Sequence, residues 1–390
     1  MNTFHFNTTS GLRFGCGMAE NSCEEIFAIL GPRILFVTDE GLMSLGLTKP
    51  TLEELQKLAD VEIFDKVEAD PSLKTLLAAI EVGTKFKATG VIGFGGGSSM
   101  DVAKLAALIL GSNEDLDSAW GVANAKGPRL PLVLVPTTAG TGSEVTPIAI
   151  ITVEHNEKRG VSSSLILPDL AILDPDLTLG LPSSITAATG IDAMVHAIEG
   201  YASCNSNNNP ISKMLAIEAL KLLGGSIETA VDNGSNIEAR GDMLIGSMLA
   251  GKAFANAPVA AVHALAYPIG GIFHIPHGLS NALVLPHVLR FNSINAKASQ
   301  DYAELAPHVF SEFKYEMQDK GGQIISKKFI DKMQDLSASL GLPQRLRDVD
   351  IPENACEEMA KEAMKQTRLL VNNPREVTEA DALHIYQSAW

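Results

Sequence analysis

The stretch GIDAMVHAIEGY (190–201) sets Asp192, His196 and Glu199 at spacings of four and seven, which puts all three on one stripe of an α-helix. The other faces carry Ile191, Ala193, Met194, Val195, Ala197 and Ile198, so such a helix is buried nearly all round. A buried charge is costly unless it is paired or bound to a metal. Taken alone, the stripe is also satisfied by a local Asp–His contact of about 0.2–0.5 kcal/mol. More imidazole lies downstream: of nine histidines, four fall between residues 263 and 287, and HALAYPIGGIFHIPHG (263–278) holds His263, His274 and His277. Asp192, His196, His263 and His277 together would make a mixed nitrogen and oxygen site for a divalent transition metal. Fe²⁺, Zn²⁺, Mn²⁺ and Ni²⁺ all suit it, and affinity order does not choose among them. His274, His287 and His308 read as core histidines or polar helix ends.

Two glycine-bearing loops point to a second chemistry. GFGGGSSMD (93–101) follows an apolar strand and opens a helix. Gly95, Gly96 and Gly97 let the backbone come close to an anion and point N–H groups at it, with the helix dipole adding to the attraction. Ser98 and Asp101 have the spacing of a capping box. The loop is neither the G-x-G-x-x-G fingerprint nor a P-loop, and a tight turn needing glycine for geometry alone fits it equally. PTTAGTGSE (136–144) also follows an apolar strand and offers the hydroxyls of Thr137, Thr138, Thr141 and Ser143. Ligands of a parallel sheet lie beyond the carboxyl ends of its strands, so the two loops together suggest a phosphate or ribose site. Asp39, at the end of another strand, suits ribose hydroxyls, or else caps a helix. The three elements together suggest a dinucleotide.

The elements that must position these groups follow from the pattern of apolar runs. Strand-like segments stand at 33–38, 61–64, 89–94, 130–136, 148–153 and 170–175, with helical patterns at 71–86 and 99–111 between them. That alternation implies a parallel sheet with helices on its faces. After about residue 180 the periodicity is helical to Trp390. The expected organisation is an α/β domain over 1–180 with a parallel, Rossmann-like sheet, then an all-α domain over 181–390. A chain of 390 residues with 46% hydrophobic and 19% charged residues fits two globular domains. A net charge of −16 argues against nucleic acid or an anionic membrane as partner. No run reaches 18 apolar residues, the N-terminus lacks a signal-peptide pattern, and the four cysteines form no CxxC pair. A cytoplasmic, reduced protein is expected.

The segments GGGSSMDVAK (95–104), PTTAGTGSEVT (136–146), LPDLAILDPDLT (167–178), ATGIDAMVHAIE (188–199) and HALAYPIGGIFHIPHG (263–278) resemble, in this order and along essentially the whole chain, the iron-containing (group III) alcohol dehydrogenases. The resemblance implies a nucleotide-binding α/β domain like that of dehydroquinate synthase, a helical domain, and an active site in the cleft between them. It implies NAD and a divalent metal, Fe²⁺ first and Zn²⁺ second, with Asp192, His196, His263 and His277 as ligands. Gly96, Gly97, Ser98, Thr137, Thr138 and Thr141 then surround the cofactor phosphates and nicotinamide, Asp39 contacts the adenosine ribose, and Lys158 lies near the cofactor. Phe254 and Tyr267 fall on the substrate side. Many members carry a histidine at the position of Tyr267, associated with proton relay, so a phenol takes that place here. The implied reaction passes hydride between a small alcohol or aldehyde and the nicotinamide, in a homodimer or higher homo-oligomer. Two other readings share these features: a metal- and NAD-dependent lyase similar to dehydroquinate synthase, and a nucleotide-binding protein without turnover.

Overall fold

The apolar runs of the first half become the strands β1 (Gly11–Phe14), β2 (Arg33–Val37), β3 (Asp60–Phe64), β4 (Gly90–Gly95), β5 (Gly121–Val122), β6 (Leu132–Pro136), β7 (Ile148–Thr152), β8 (Lys158–Ser162) and β9 (Leu170–Leu173). The computed structural model describes residues 3–153, 157–316 and 321–390. Six strands form a parallel sheet in the order β1-β9-β6-β4-β2-β3. Successive side chains of a strand point to opposite faces, and the two cores follow that rule. Leu35, Val37, Val91, Leu132 and Leu134 pack with Leu76 and Ala79 of the helix Leu73–Phe86 and with the helix Gly97–Ser112. Ile34, Phe36, Ile92, Phe94, Val133 and Val135 pack on the other face with Ile26, Leu30, Leu52 and Leu55. β4, β6 and β9 are buried throughout, as strands covered on both faces must be.

One expected strand goes elsewhere. The run at 148–153 gives β7, which pairs antiparallel with β8, and β8 pairs parallel with β5, in a separate three-stranded sheet. Its burial alternates, with Ala149 and Ile151 inside and Ile148, Ile150 and Thr152 half-buried, which is the pattern of a strand covered on one face.

β4 and β6 are neighbours in register, Gly95 opposite Pro136, so both glycine-bearing loops leave the sheet side by side. The helix after β4 starts at Gly97 with Gly96 as its N-cap and no side-chain cap. The capping box expected of Ser98 and Asp101 therefore does not form. Asp101 turns away from the helix start: Oδ1 accepts from Ser143 Oγ at 2.7 Å and Oδ2 from the Ile150 N–H at 2.9 Å. One turn later stands Lys104, fully buried. Its Nζ donates to Ser143 Oγ (2.7 Å), Thr146 Oγ1 (3.3 Å) and the Ile148 carbonyl (2.7 Å), and lies 3.8 Å from Asp101 Oδ1. Burial pushes the Lys104 ammonium down to about 8. It also raises the Asp101 carboxyl, against the opposing pull of Lys104. The pair ties the second loop to the helix that begins at the first.

The structure divides into a unit of residues 7–180 and a helical unit of 181–390, the latter taking in the residues up to Phe6. The sequence pattern puts the first residues with the sheet, in a domain over 1–180. They group with the helices because the His5 N–H donates to Asn207 Oδ1 and Asn207 Nδ2 to the His5 carbonyl. In the helical unit Ser183–Ala202, Pro210–Asp232 and Ile237–Asn256 pack on one another, and Ala261–Phe273 and His277–Asn292 follow. No single helix among the described residues is long and apolar enough to cross a membrane.

Removing the buried ammonium tests the network. Lys104→Met leaves Asp101 buried without its counter-charge and is expected to lower the unfolding free energy by about 3–5 kcal/mol, the usual cost of breaking such a pair. Adding Asp101→Asn should recover part of that loss. Urea denaturation curves decide it, and a single variant as stable as wild type would show that the pair does not secure the loop.

Candidate functional site

The helix Ser183–Ala202 is buried from Gly190 to Ala202, and its one polar stripe has a destination. Asp192, His196, His263 and His277 each present one ligand atom, and these atoms lie within 4.8 Å of one another. Asp192 Oδ1 is 3.9 Å from His263 Nε2 and 3.8 Å from His277 Nε2. Two ligands bonded at about 2.1 Å to one ion sit about 3–4 Å apart, so the hollow suits a single metal. His277 reaches the cluster from the first turn of its helix. A Cβ on the next residue, Gly278, would come within 2.5 Å of the Ala188 carbonyl oxygen. Only glycine lets the two helices approach so closely.

Partners outside the four aim them. His263 Nδ1 donates to Glu199 Oε2 at 2.7 Å, and the Val262 N–H donates to Glu199 Oε1 at 2.7 Å. With its proton on Nδ1, His263 turns a bare Nε2 into the cluster, and this buried atom has no hydrogen-bond partner. An orphaned imidazole lone pair beside a carboxylate is what a metal ligand looks like before the ion is considered. Asn281 Nδ2 donates to Asp192 Oδ1 at 2.6 Å and lies 3.3 Å from His277 Nε2. Burial works to raise the Asp192 carboxyl. His196, His277 and His263, with the Asn281 amide, outweigh it and hold the group below the ordinary carboxylate range. His196 is stacked between Phe254 (ring centres 4.4 Å) and His263 (4.6 Å). Asp192, His196 and His263 are buried, while the His277 side chain is 36% exposed, so the cluster opens on the His277 side. Tyr267 lies there, its ring 6.0 Å from that of His277. His274, exposed in the left-handed region at a helix end (φ 56°), His287 and His308 stay outside the cluster.

In the 7–180 unit the expected cofactor residues divide into two kinds. A Cβ on Gly97 would meet Thr141 at 3.0 Å, and one on Gly96 would meet Thr138 at 3.8 Å, so the two loops face each other. Ser98, Thr138 and Thr141 are half-buried and Thr137 is buried. Ser143 and Asp101, expected at the cofactor, are engaged with Lys104 and each other and act by fixing the loop. Asp39 caps the short helix Glu40–Ser44 through Oδ1, which accepts from the Leu42 N–H. Lys158 Nζ pairs with Asp70 Oδ1 at 2.6 Å and donates to Thr152 Oγ1. Among residues with a part in the sites, the sequence pattern sets Glu199 on the helical stripe and gives it no role. Asn281 and Lys104 were missed. Asn281 had one faint signal, a position four residues after His277 on the same helix.

A buried carboxylate among three imidazoles in one unit, and paired glycine loops on a parallel sheet in the other, define a metal-assisted, nucleotide-linked class of enzyme. Family comparison resolves it further. Residues 9–175 match the iron-containing alcohol dehydrogenase model and residues 186–390 the C-terminal model of the Fe-containing alcohol dehydrogenase family. The chain is 40% identical over 382 residues to long-chain-alcohol dehydrogenase 1 of Geobacillus thermodenitrificans, covering 96% of this chain and 94% of that protein. It is 37% identical to the 1,3-propanediol dehydrogenase of Citrobacter freundii, over 92% of each. The solved alcohol dehydrogenase of Oenococcus oeni superposes over 100% of both chains with a TM-score of 0.94 at 34% identity. The chain belongs to the iron-containing alcohol dehydrogenase family. It is an oxidoreductase that acts on alcohols or aldehydes with NAD and a divalent metal.

Glu199 gives the test of this geometry. Glu199→Gln cannot accept from both His263 and Val262 as a carboxylate does, and removal of such an orienting partner typically weakens metal binding about 10–100-fold. Chelator competition, read as metal bound per chain, measures it. Wild-type retention in the variant would mean that the orientation of His263 does not depend on Glu199.

Proposed function

We propose that Asp192, His196, His263 and His277 hold one ferrous ion, and that the chain passes hydride between a small primary alcohol and NAD⁺, or from NADH to the aldehyde. The observation that carries this reading is the buried His263 Nε2, orphaned 3.9 Å from Asp192 Oδ1 and fixed by Glu199. A structural role would have filled that valence with protein. When bound, the ion supplies Lewis acidity and the nicotinamide supplies the hydride acceptor.

This chain's residues do the rest. Asp192 contributes the negative charge that favours a divalent ion, and Asn281 fixes one of its oxygens. Phe254 covers His196 on one side and keeps water from it. The Tyr267 hydroxyl, held by Arg368, stands on the open side to hold or pass a proton. Gly96, Gly97, Ser98, Thr138 and Thr141 offer backbone N–H groups and hydroxyls to the cofactor phosphates, with Lys158 as a nearby cation. Asp39 keeps Oδ2 for the adenosine ribose, since Oδ1 caps its helix. The names of the relatives, a long-chain alcohol dehydrogenase and a propanediol dehydrogenase, support primary alcohols as the class. Four free thiols support a reducing cytoplasm, and we propose a homodimer or higher homo-oligomer there.

Two experiments follow. In anaerobically prepared, iron-loaded protein, His277→Ala is expected to lose most bound metal and nearly all NADH formation from alcohols. It should still bind NADH, because the cofactor loops lie in the other unit. His274→Asn, which suits the left-handed backbone, should keep both metal and turnover. The reverse pattern would refute the ligand assignment. For the cofactor, Asp39→Asn keeps the helix cap but removes the charge that repels a 2′-phosphate. The NADP-to-NAD ratio of kcat/KM should rise by about ten-fold, the order of one charged contact. An unchanged ratio would take Asp39 out of the ribose site.

A further inference from the structure

Arg368, in the short helix Thr367–Leu370, is exposed and forms no ion pair among the described residues. Its Nη2 donates to the Tyr267 hydroxyl at 3.3 Å, and its guanidinium carbon lies 5.9 Å from the centre of the Tyr267 ring. Tyr267 follows His263 by one helical turn, and its ring is 6.0 Å from that of His277. The guanidinium thus stands one aromatic ring away from the accessible member of the four-ligand cluster, and all these residues belong to the helical unit. A guanidinium carries five donors in a planar fork that matches a carboxylate or sulfonate. Here that fork meets one phenol oxygen. The chain has 46 acidic residues against 30 basic ones, so an arginine without a carboxylate partner beside the site is not a product of short supply.

We propose that Arg368 is a specificity residue: it binds the anionic end of a substrate whose other end is the reacting alcohol or aldehyde, so that the substrate class is small ω-carboxylate or ω-sulfonate aldehydes and the corresponding alcohols. Tyr267 serves as the spacer between the two ends. The ring supplies an apolar wall along the substrate's carbon chain, and its hydroxyl fixes the guanidinium on the open side of His277. An uncharged alcohol still meets the same reacting centre but leaves the fork unused.

This assignment rests on the proposed reaction at the four-ligand centre, and the test separates the two. Iron-loaded protein with NADH is assayed on a series of ω-oxo acids of increasing length, their methyl esters, and an ω-oxo sulfonate. At the best length kcat/KM for the acid should exceed that for its ester by about ten-fold, the size expected of one charge-assisted hydrogen bond. The difference should lie mainly in KM. Arg368→Gln should lower the acid-to-ester ratio about ten-fold, and Arg368→Lys should restore part of it. The sulfonate arm tells whether the fork accepts any small anion or a carboxylate alone. A second readout needs no variant: in wild type, added KCl should raise KM for the acid and not for the ester. Ready reduction of esters with no preference for acids, or an acid-to-ester ratio indifferent to Arg368→Gln, overturns the assignment while leaving the dehydrogenase reading intact. Failure to reduce any aldehyde, charged or neutral, overturns both.

Discussion

The Asp192 carboxylate is 2% exposed, and its surroundings are three imidazoles and one carboxamide. An isolated buried carboxylate would cost several kcal/mol (about), so the helical unit around it is arranged to keep that charge compensated. The helix Ser183–Ala202 sacrifices part of its apolar surface to a polar stripe. Gly278 allows the helix His277–Asn292 to approach the Ala188 carbonyl, which brings His277 and Asn281 to the same point. Glu199, on the same stripe, reaches the Val262 N–H and His263 and fixes the third element. Each of these choices costs burial of polar groups, and each is explained only by the point at which they converge.

The sheet unit contains a second buried charge of a different kind. Lys104 has three donors and three close acceptors in Ser143, Thr146 and Ile148, with Asp101 beside it. Its capacity is filled by protein. The His263 Nε2 is not filled, although it is equally buried. Counting satisfied valences therefore separates the two clusters: a saturated one holds a loop in place, and an unsaturated one is built for something that arrives later. The same count explains Ser143 and Asp101 as support for the second loop, while Ser98, Thr138 and Thr141 stay half-buried.

Much of this was legible in the sequence because its signals were local. The stripe Asp192–His196–Glu199 needs only helical spacing, and the continuous apolar runs of β4, β6 and β9 need only the burial of a parallel sheet. The two glycine loops were legible as strand-to-helix junctions, and the register of Gly95 with Pro136 then brings them together. What escaped was set by contacts distant along the chain. Spacing suggested that Asp101 and Ser98 cap a helix, but Ser143 and Ile150, more than forty residues away, draw Asp101 off. The strand at 148–153 has the composition of its neighbours, and only its partner β8 shows that it leaves the main sheet. Asn281 is one of many asparagines and becomes distinct only when Gly278 has let its helix in.

The distribution of the parts has a thermodynamic consequence. All four metal-ligating candidates, with Glu199 and Asn281, come from residues 181–390, and both glycine loops with Asp39, Lys104 and Lys158 come from residues 7–180. Among the described residues, all four atoms of the metal cluster come from the helical unit. Metal affinity is therefore set by how well one helical core keeps Asp192 charged and His263 in the right tautomer. In the proposed reading, nucleotide affinity depends on how firmly Lys104 holds the second loop. Substitutions in one set act on one affinity directly, and any change they cause in the other measures the coupling free energy between the two ligands, a quantity that a site assembled from shared residues would not let one isolate.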